Sequence, residues 1–171
     1  MYWFLNGRPE SLVPLLLSGL LWAGGGWLLS LALFRLSSAE RIAVGPAIGM
    51  ALHLALANLL ARLLPTAAAF AVSAVVVGGS GVVLGWRHVR RPDLKSLLRA
   101  WPQLLAWLLM ALVITQVGRG VAILDDRKNL SLVSLLAQGN VPPPFYMDGA
   151  VPFKYHYGGL LPGAEMMALG G

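Results

Sequence analysis

Apolar runs of membrane-spanning length, each closed by charge or by proline, occupy the first two thirds of the chain. From Ser11 to Phe34 there are 24 residues without a charge, enough to cross a hydrocarbon layer of about 30 Å at 1.5 Å per residue. A second run, at about 42–64, is bracketed by Arg41 and Pro65. A third, at about 66–86, follows with almost no connection, so the two predict a tight helical hairpin. The fourth, at about 98–117, is followed by Arg119. Together they predict an N-terminal transmembrane bundle over 1–119.

The long polar interruption comes next, at 120–159. It opens on the adjacent carboxylates Asp125 and Asp126 and continues through a segment whose leucines and valine, Leu130, Leu132, Val133, Leu135 and Leu136, fall at helical spacing. That spacing predicts a short amphipathic helix at about 127–138, lying on the membrane surface. Gly139-Asn140 and Pro142-Pro143-Pro144 end it, and an irregular loop with little or no strand is expected beyond, with a turn at Met147-Asp148-Gly149. The loop closes on Phe153-Lys154-Tyr155-His156-Tyr157. The chain is apolar again over 160–171, too short to span as a helix, and is expected to be the start of a truncated fifth span.

Composition turns these runs into a class. With 57% hydrophobic and 12% charged residues, the chain is too apolar for a soluble domain of 171 residues. The fold expected is all-α integral membrane: four transmembrane helices plus a short amphipathic interfacial helix in a long extracytoplasmic loop. The net charge of +6 does not imply nucleic acid, because five Lys or Arg crowd into the thirteen residues Arg87 to Arg99 between two spans. Such a loop is a topology signal, placed in the cytoplasm, which puts Asp125 to Gly159 outside. With no cysteine in the chain, disulfides, thiolate metal sites and cysteine nucleophiles are excluded. Residues 1–10 carry Tyr2, Trp3 and Phe4 but no positive start or cleavage site, and read as a retained interfacial anchor. The usage of Leu, Ala, Gly, Arg and Trp suits a bacterium with a GC-rich genome.

Within the spans, Gly24-Gly25-Gly26 permits close helix contact or a kink, and Gly78-Gly79-Ser80-Gly81 lacks the Lys-Ser or Lys-Thr of a phosphate loop. His53 and Asn58 lie about 140° apart around a helix and are expected to be interhelical hydrogen-bonding groups. Candidate chemistry is therefore sought in the loop. Asp125 and Asp126 stand where the fourth span ends and can accept a proton, hold a divalent cation or cap the helix that follows. Lys154, Tyr155, His156 and Tyr157 place a cation, two phenols and an imidazole beside the membrane. Aromatic belts account for tyrosines at an interface, but a lysine and a histidine among them suit a polar ligand carrying phosphate or sugar.

A span followed by an acidic pair, a short amphipathic helix, a Gly-Asn-x-Pro-Pro break and a Tyr-His-Tyr-Gly return resembles the first extracytoplasmic loop of the GT-C superfamily of integral membrane glycosyltransferases. The similarity is to its mannosyltransferase-like and tyrosine-rich bacterial members, and Ser38 to Gly45 also resembles their early spans. In motif it covers Asp125 to Gly159. The resemblance implies an N-terminal fragment of an enzyme of the bacterial cytoplasmic membrane that takes sugar from a polyprenyl-phosphate-linked donor. Asp125 or Asp126 would be the general base, the neighbouring aspartate a ligand of a divalent metal ion, and Tyr155, His156 and Tyr157 the lining of the substrate cavity. Lys154 meets phosphate by charge alone. The missing C-terminal spans imply that this piece alone is inactive. The alternative expectation is a non-enzymatic transporter or scaffold component whose loop docks a partner.

Overall fold

The computed structural model describes residues 12–89, 126–145, 148–152 and 157–170, together with Pro102, Leu105 and Leu109. It is mostly helical. Three helices are long and apolar enough to cross a membrane: α1 (Leu12–Leu33), α2 (Ser38–Leu60) and α3 (Thr66–Gly85), the last prolonged by a 3₁₀ turn at Trp86–His88. They follow the first three expected spans closely. Of the fourth, only Pro102, Leu105 and Leu109 are described, each helical and exposed. The rest of that span, the anchor at 1–10 and most of the basic loop lie outside the described residues.

The three helices run up, down and up, and their packing inverts the arrangement of a soluble bundle. Large apolar side chains such as Leu16, Leu20, Leu59, Val75 and Val83 point outward, while the buried faces are built largely from glycine, alanine and serine. In water such an exterior would aggregate; against lipid it costs nothing, and small residues inside let the backbones meet. On α2 the buried stripe is Gly45, Gly49, His53 and Ala57, one residue per turn. A methyl group added to Gly26 of α1 would strike the backbone of Gly45 and Gly49, and one on Gly81 of α3 would strike the backbone of Gly25. Close contact, not a kink, is therefore the use made of the glycine run.

α2 begins earlier than the expected boundary at residue 42. Ser37 accepts from the backbone N–H of Glu40 at 3.3 Å while the Glu40 carboxylate accepts from the N–H of Ser37 at 2.8 Å, a reciprocal cap that draws Glu40 and Arg41 into the first turn.

Beyond the undescribed region, α4 (Asp126–Ala137) buries Leu132, Val133 and Leu136 but leaves Leu130 exposed. It ends in a Schellman turn. Gly139 takes φ +100°, the Asn140 N–H reaches the Leu135 carbonyl at 3.0 Å and the Gly139 N–H that of Leu136 at 3.1 Å. The Leu136 carbonyl also accepts from Thr66, the first residue of α3, at 3.0 Å, which fixes α4 to the end of the bundle where α2 turns into α3. A short antiparallel ladder follows, β1 (Pro144–Phe145) with β2 (Asp148–Pro152), so Asp148 and Gly149, expected in a turn, open a strand instead. After a 3₁₀ turn at Gly158–Leu160, α5 (Leu161–Gly170) enters the bundle. Leu161 and Ala164 pack there with Ala57, Phe70 and Leu136 in one core cluster.

The glycine run supplies its own control. Gly24→Ala, at a position with open space, should change stability by less than about 0.5 kcal/mol, whereas Gly26→Ala should cost about 1–3 kcal/mol as α1 and α2 are forced apart. Reversible unfolding of the two variants in bicelles checks the difference.

Candidate functional site

The most unusual chemistry of the described residues lies inside the bundle. Glu165, four residues into α5, is buried, and its Oε1 accepts from the Ser18 hydroxyl of α1 at 2.5 Å. The same oxygen lies 3.1 Å from Nε2 of His53 on α2, at ion-pair distance but off the line of a hydrogen bond. His53 has no exposed surface. Its Nδ1 is 2.8 Å from the Ser73 hydroxyl of α3, which in turn lies 2.8 Å from the Phe70 carbonyl. Four helices thus each contribute one polar side chain to a single cluster.

Local sequence explains why these groups converge. His53 continues the Gly45–Gly49 stripe, so the close approach that the glycines allow also turns the imidazole inward. Trp22 stacks over the ring at a centroid distance of 6.3 Å and an interplanar angle of 18°, and Phe70 tilts against it at 5.8 Å and 42°. These rings leave the imidazole little freedom to turn. Ser18, His53 and Ser73 each sit six or seven residues from the same end of their helices, roughly 10 Å below it at 1.5 Å per residue. That end carries α4.

Above this cluster a second contact returns the loop to the bundle. The Tyr157 hydroxyl donates to Oδ1 of Asn58 at 2.9 Å. The two polar residues marked in the second span, His53 and Asn58, therefore make contacts with other elements, as expected from their type. The other loop residues marked by sequence, Asp125, Lys154, Tyr155 and His156, lie outside the described residues, as does the side chain of Asp126, whose backbone opens α4. Among the described residues no group of three or more His, Asp or Glu is placed to hold a metal ion.

No family model, curated protein or solved structure matches this chain. Its site is accordingly described by its own geometry. Sequence reasoning missed Glu165, Ser18 and Ser73. The first had a signal, since a lone carboxylate amid Leu160 to Leu169 is costly in lipid and marks a site by default. The serines had none, because a hydroxyl inside an apolar span is common and cheap.

The Tyr157–Asn58 contact is measurable as a coupling. In a double-mutant cycle, Tyr157→Phe and Asn58→Ala should each destabilise the fold, and their interaction energy should be about 0.5–1.5 kcal/mol, read from bicelle unfolding.

Proposed function

We propose that the chain is the membrane-embedded N-terminal part of a glycosyltransferase acting on a polyprenyl-phosphate-linked sugar at the extracytoplasmic face of a bacterial cytoplasmic membrane. One observation carries this reading: the last turn of α4 and the return of the loop at Tyr157 meet the same end of the bundle. α4, opened by Asp126, is tied there through Leu136 and Thr66, and the aromatic return is tied there through Tyr157 and Asn58. In this reading the acidic pair at the start of α4 and the aromatic return would serve a lipid-linked donor and a polar acceptor. Arg35, Arg41 and Arg87 fall at the opposite end of the three helices, which supports a cytoplasmic assignment for that end.

In the reaction proposed, Asp125 or Asp126 takes the proton of an acceptor hydroxyl as its oxygen attacks the anomeric carbon. The bond from that carbon to the phosphate oxygen breaks, and the polyprenyl phosphate leaves with the electron pair. Lys154 offers its ammonium to the phosphate, and Tyr155 and His156 line the cavity. The Tyr157 hydroxyl is engaged by Asn58, so its ring is the part left for a ligand.

Membranes carrying the product of the full reading frame should transfer radiolabelled sugar from polyprenyl phosphate. Replacing both Asp125 and Asp126 by Asn should lower transfer roughly a hundredfold or more with insertion unchanged. Undiminished transfer would return the acids to capping α4.

A further inference from the structure

The glycine contacts that close the bundle all pass through α1. Gly26 and Gly49 bring α1 against α2, and Gly25, Gly81 and Gly85 bring it against α3, in each case backbone to backbone. Among the described residues no such pair joins α2 to α3. These two helices are tied by the short turn at 61–65 and then part, leaving between them a groove of about 390 Å³. Its walls are Leu52, Leu56 and Leu59 of α2 and Val76, Val77 and Ser80 of α3. Leu29 of α1 reaches it from behind. Leu52, Leu59 and Val76 stay exposed along it. A second opening, between α1 and α3, is smaller at about 220 Å³ and already has Leu169 of α5 in its lining.

We propose that the groove between α2 and α3 seats the fourth span of this chain, residues 100–118, through the helix face that carries Trp107, Ala111 and Ile114. This holds whatever reaction the loop performs.

The path of the chain requires a further crossing. It leaves α3 at Val89, next to Arg87 and His88, and returns as α4, whose last turn is held by Thr66 at the opposite end of the bundle. The first turn of α4, Asp126-Arg127-Lys128, carries too much charge to lie in hydrocarbon. The thirty-six residues between Val89 and Asp126 must therefore pass from one side to the other, and the nineteen without charge between Arg99 and Arg119 are long enough to do so.

The face follows from the three residues of this span that are described. Pro102, Leu105 and Leu109 are helical and exposed, and at 3.6 residues per turn they fall within about 60° of one another. They face lipid. The opposite side of the same helix carries Trp107, Ala111 and Ile114. Depth agrees with the groove: Trp107 follows Arg99 by eight residues and Ser80 precedes Arg87 by seven, so both lie about 11 Å in from the charged end. Ile114 and Leu56 each stand fifteen residues from an arginine at that end, Arg99 and Arg41. Ser80 is the one polar side chain in the lining, and an indole N–H at that depth, away from the interface, needs an acceptor that lipid does not provide. Seated there, the span leaves the membrane beside Leu59, next to the Asn58 that holds Tyr157, so the groove sets where the polar loop begins relative to where it returns.

The chain has no cysteine, so labels and crosslinks can be placed in chosen pairs. Nitroxides are attached to Val117→Cys with Leu63→Cys, beside the α2–α3 turn, and to Val117→Cys with Val13→Cys, at the same end of α1; Leu63 and Val13 are both exposed. Each labelled chain is diluted into cysteine-free chain in bilayers. Both pairs should give narrow distances, with Val117 nearer to Leu63 than to Val13, because α1 lies behind the groove. Broad distributions in both, as when lipid fills the groove, or the reverse order, overturn the proposal. A second measurement tests the face: oxidation in membranes should close a disulfide within the Leu56→Cys, Ile114→Cys chain roughly tenfold faster or more than within the Leu56→Cys, Leu109→Cys chain. Equal rates, no disulfide in either, or disulfides formed only between chains, as when a second copy fills the groove, also overturn it.

Discussion

A carboxyl group placed among membrane-spanning helices must have a partner, and the partner that Glu165 finds determines how the rest of the described structure is joined. His53 receives it from α2, Ser18 from α1, and Ser73 of α3 fixes the far side of the imidazole. Removing one member of such a buried polar contact leaves the other without a partner in a medium that cannot solvate it. α5 buries few side chains of its own, so this polar contact and the small core of Leu161 and Ala164 are what hold it. Everything that depends on α5, including the return of the loop through Tyr157, depends on the pair.

The pair in turn depends on glycine. His53 meets Glu165 and Ser73 because α1, α2 and α3 approach until backbone touches backbone at Gly25, Gly26, Gly49 and Gly81. A bundle spaced by leucines would hold the imidazole too far from its partners and leave room for water or lipid beside it. Close packing and the polar cluster are therefore one feature: the first creates the dry space, and the second fills it with groups that satisfy one another.

The spans were legible because hydrocarbon thickness imposes a length and an absence of charge that few other structures share. α1 and α3 start and stop within a residue of where the apolar runs did. α2 did not, because the Ser37–Glu40 cap, a Ser-x-x-Glu pattern, carries the helix through Arg41, and charge alone was read as a boundary. The short helix of the loop was legible from its leucine spacing, although Leu130 turned out exposed, since burial there is set by where Thr66 and α5 lie and not by the helix alone. Glu165 was hidden by its surroundings: one carboxylate in an apolar run reads as noise until a histidine far earlier in the chain, on α2, is seen facing it. The candidate residues Asp125, Lys154, Tyr155 and His156 rest on sequence and resemblance, and the structure adds to them where the end of α4 and the return at Tyr157 meet the bundle.

The most direct test of the account is to observe the pair itself. Solid-state NMR on the uniformly labelled chain in bilayers can look for a through-space correlation between the His53 ring and the Glu165 side chain. The structure predicts that correlation at an Nε2–Oε1 separation of 3.1 Å, with neither side chain exchanging rapidly with deuterated water. Absence of the correlation, with a Glu165 carboxyl open to water, would contradict the seating of α5 and with it the organisation of the loop described above.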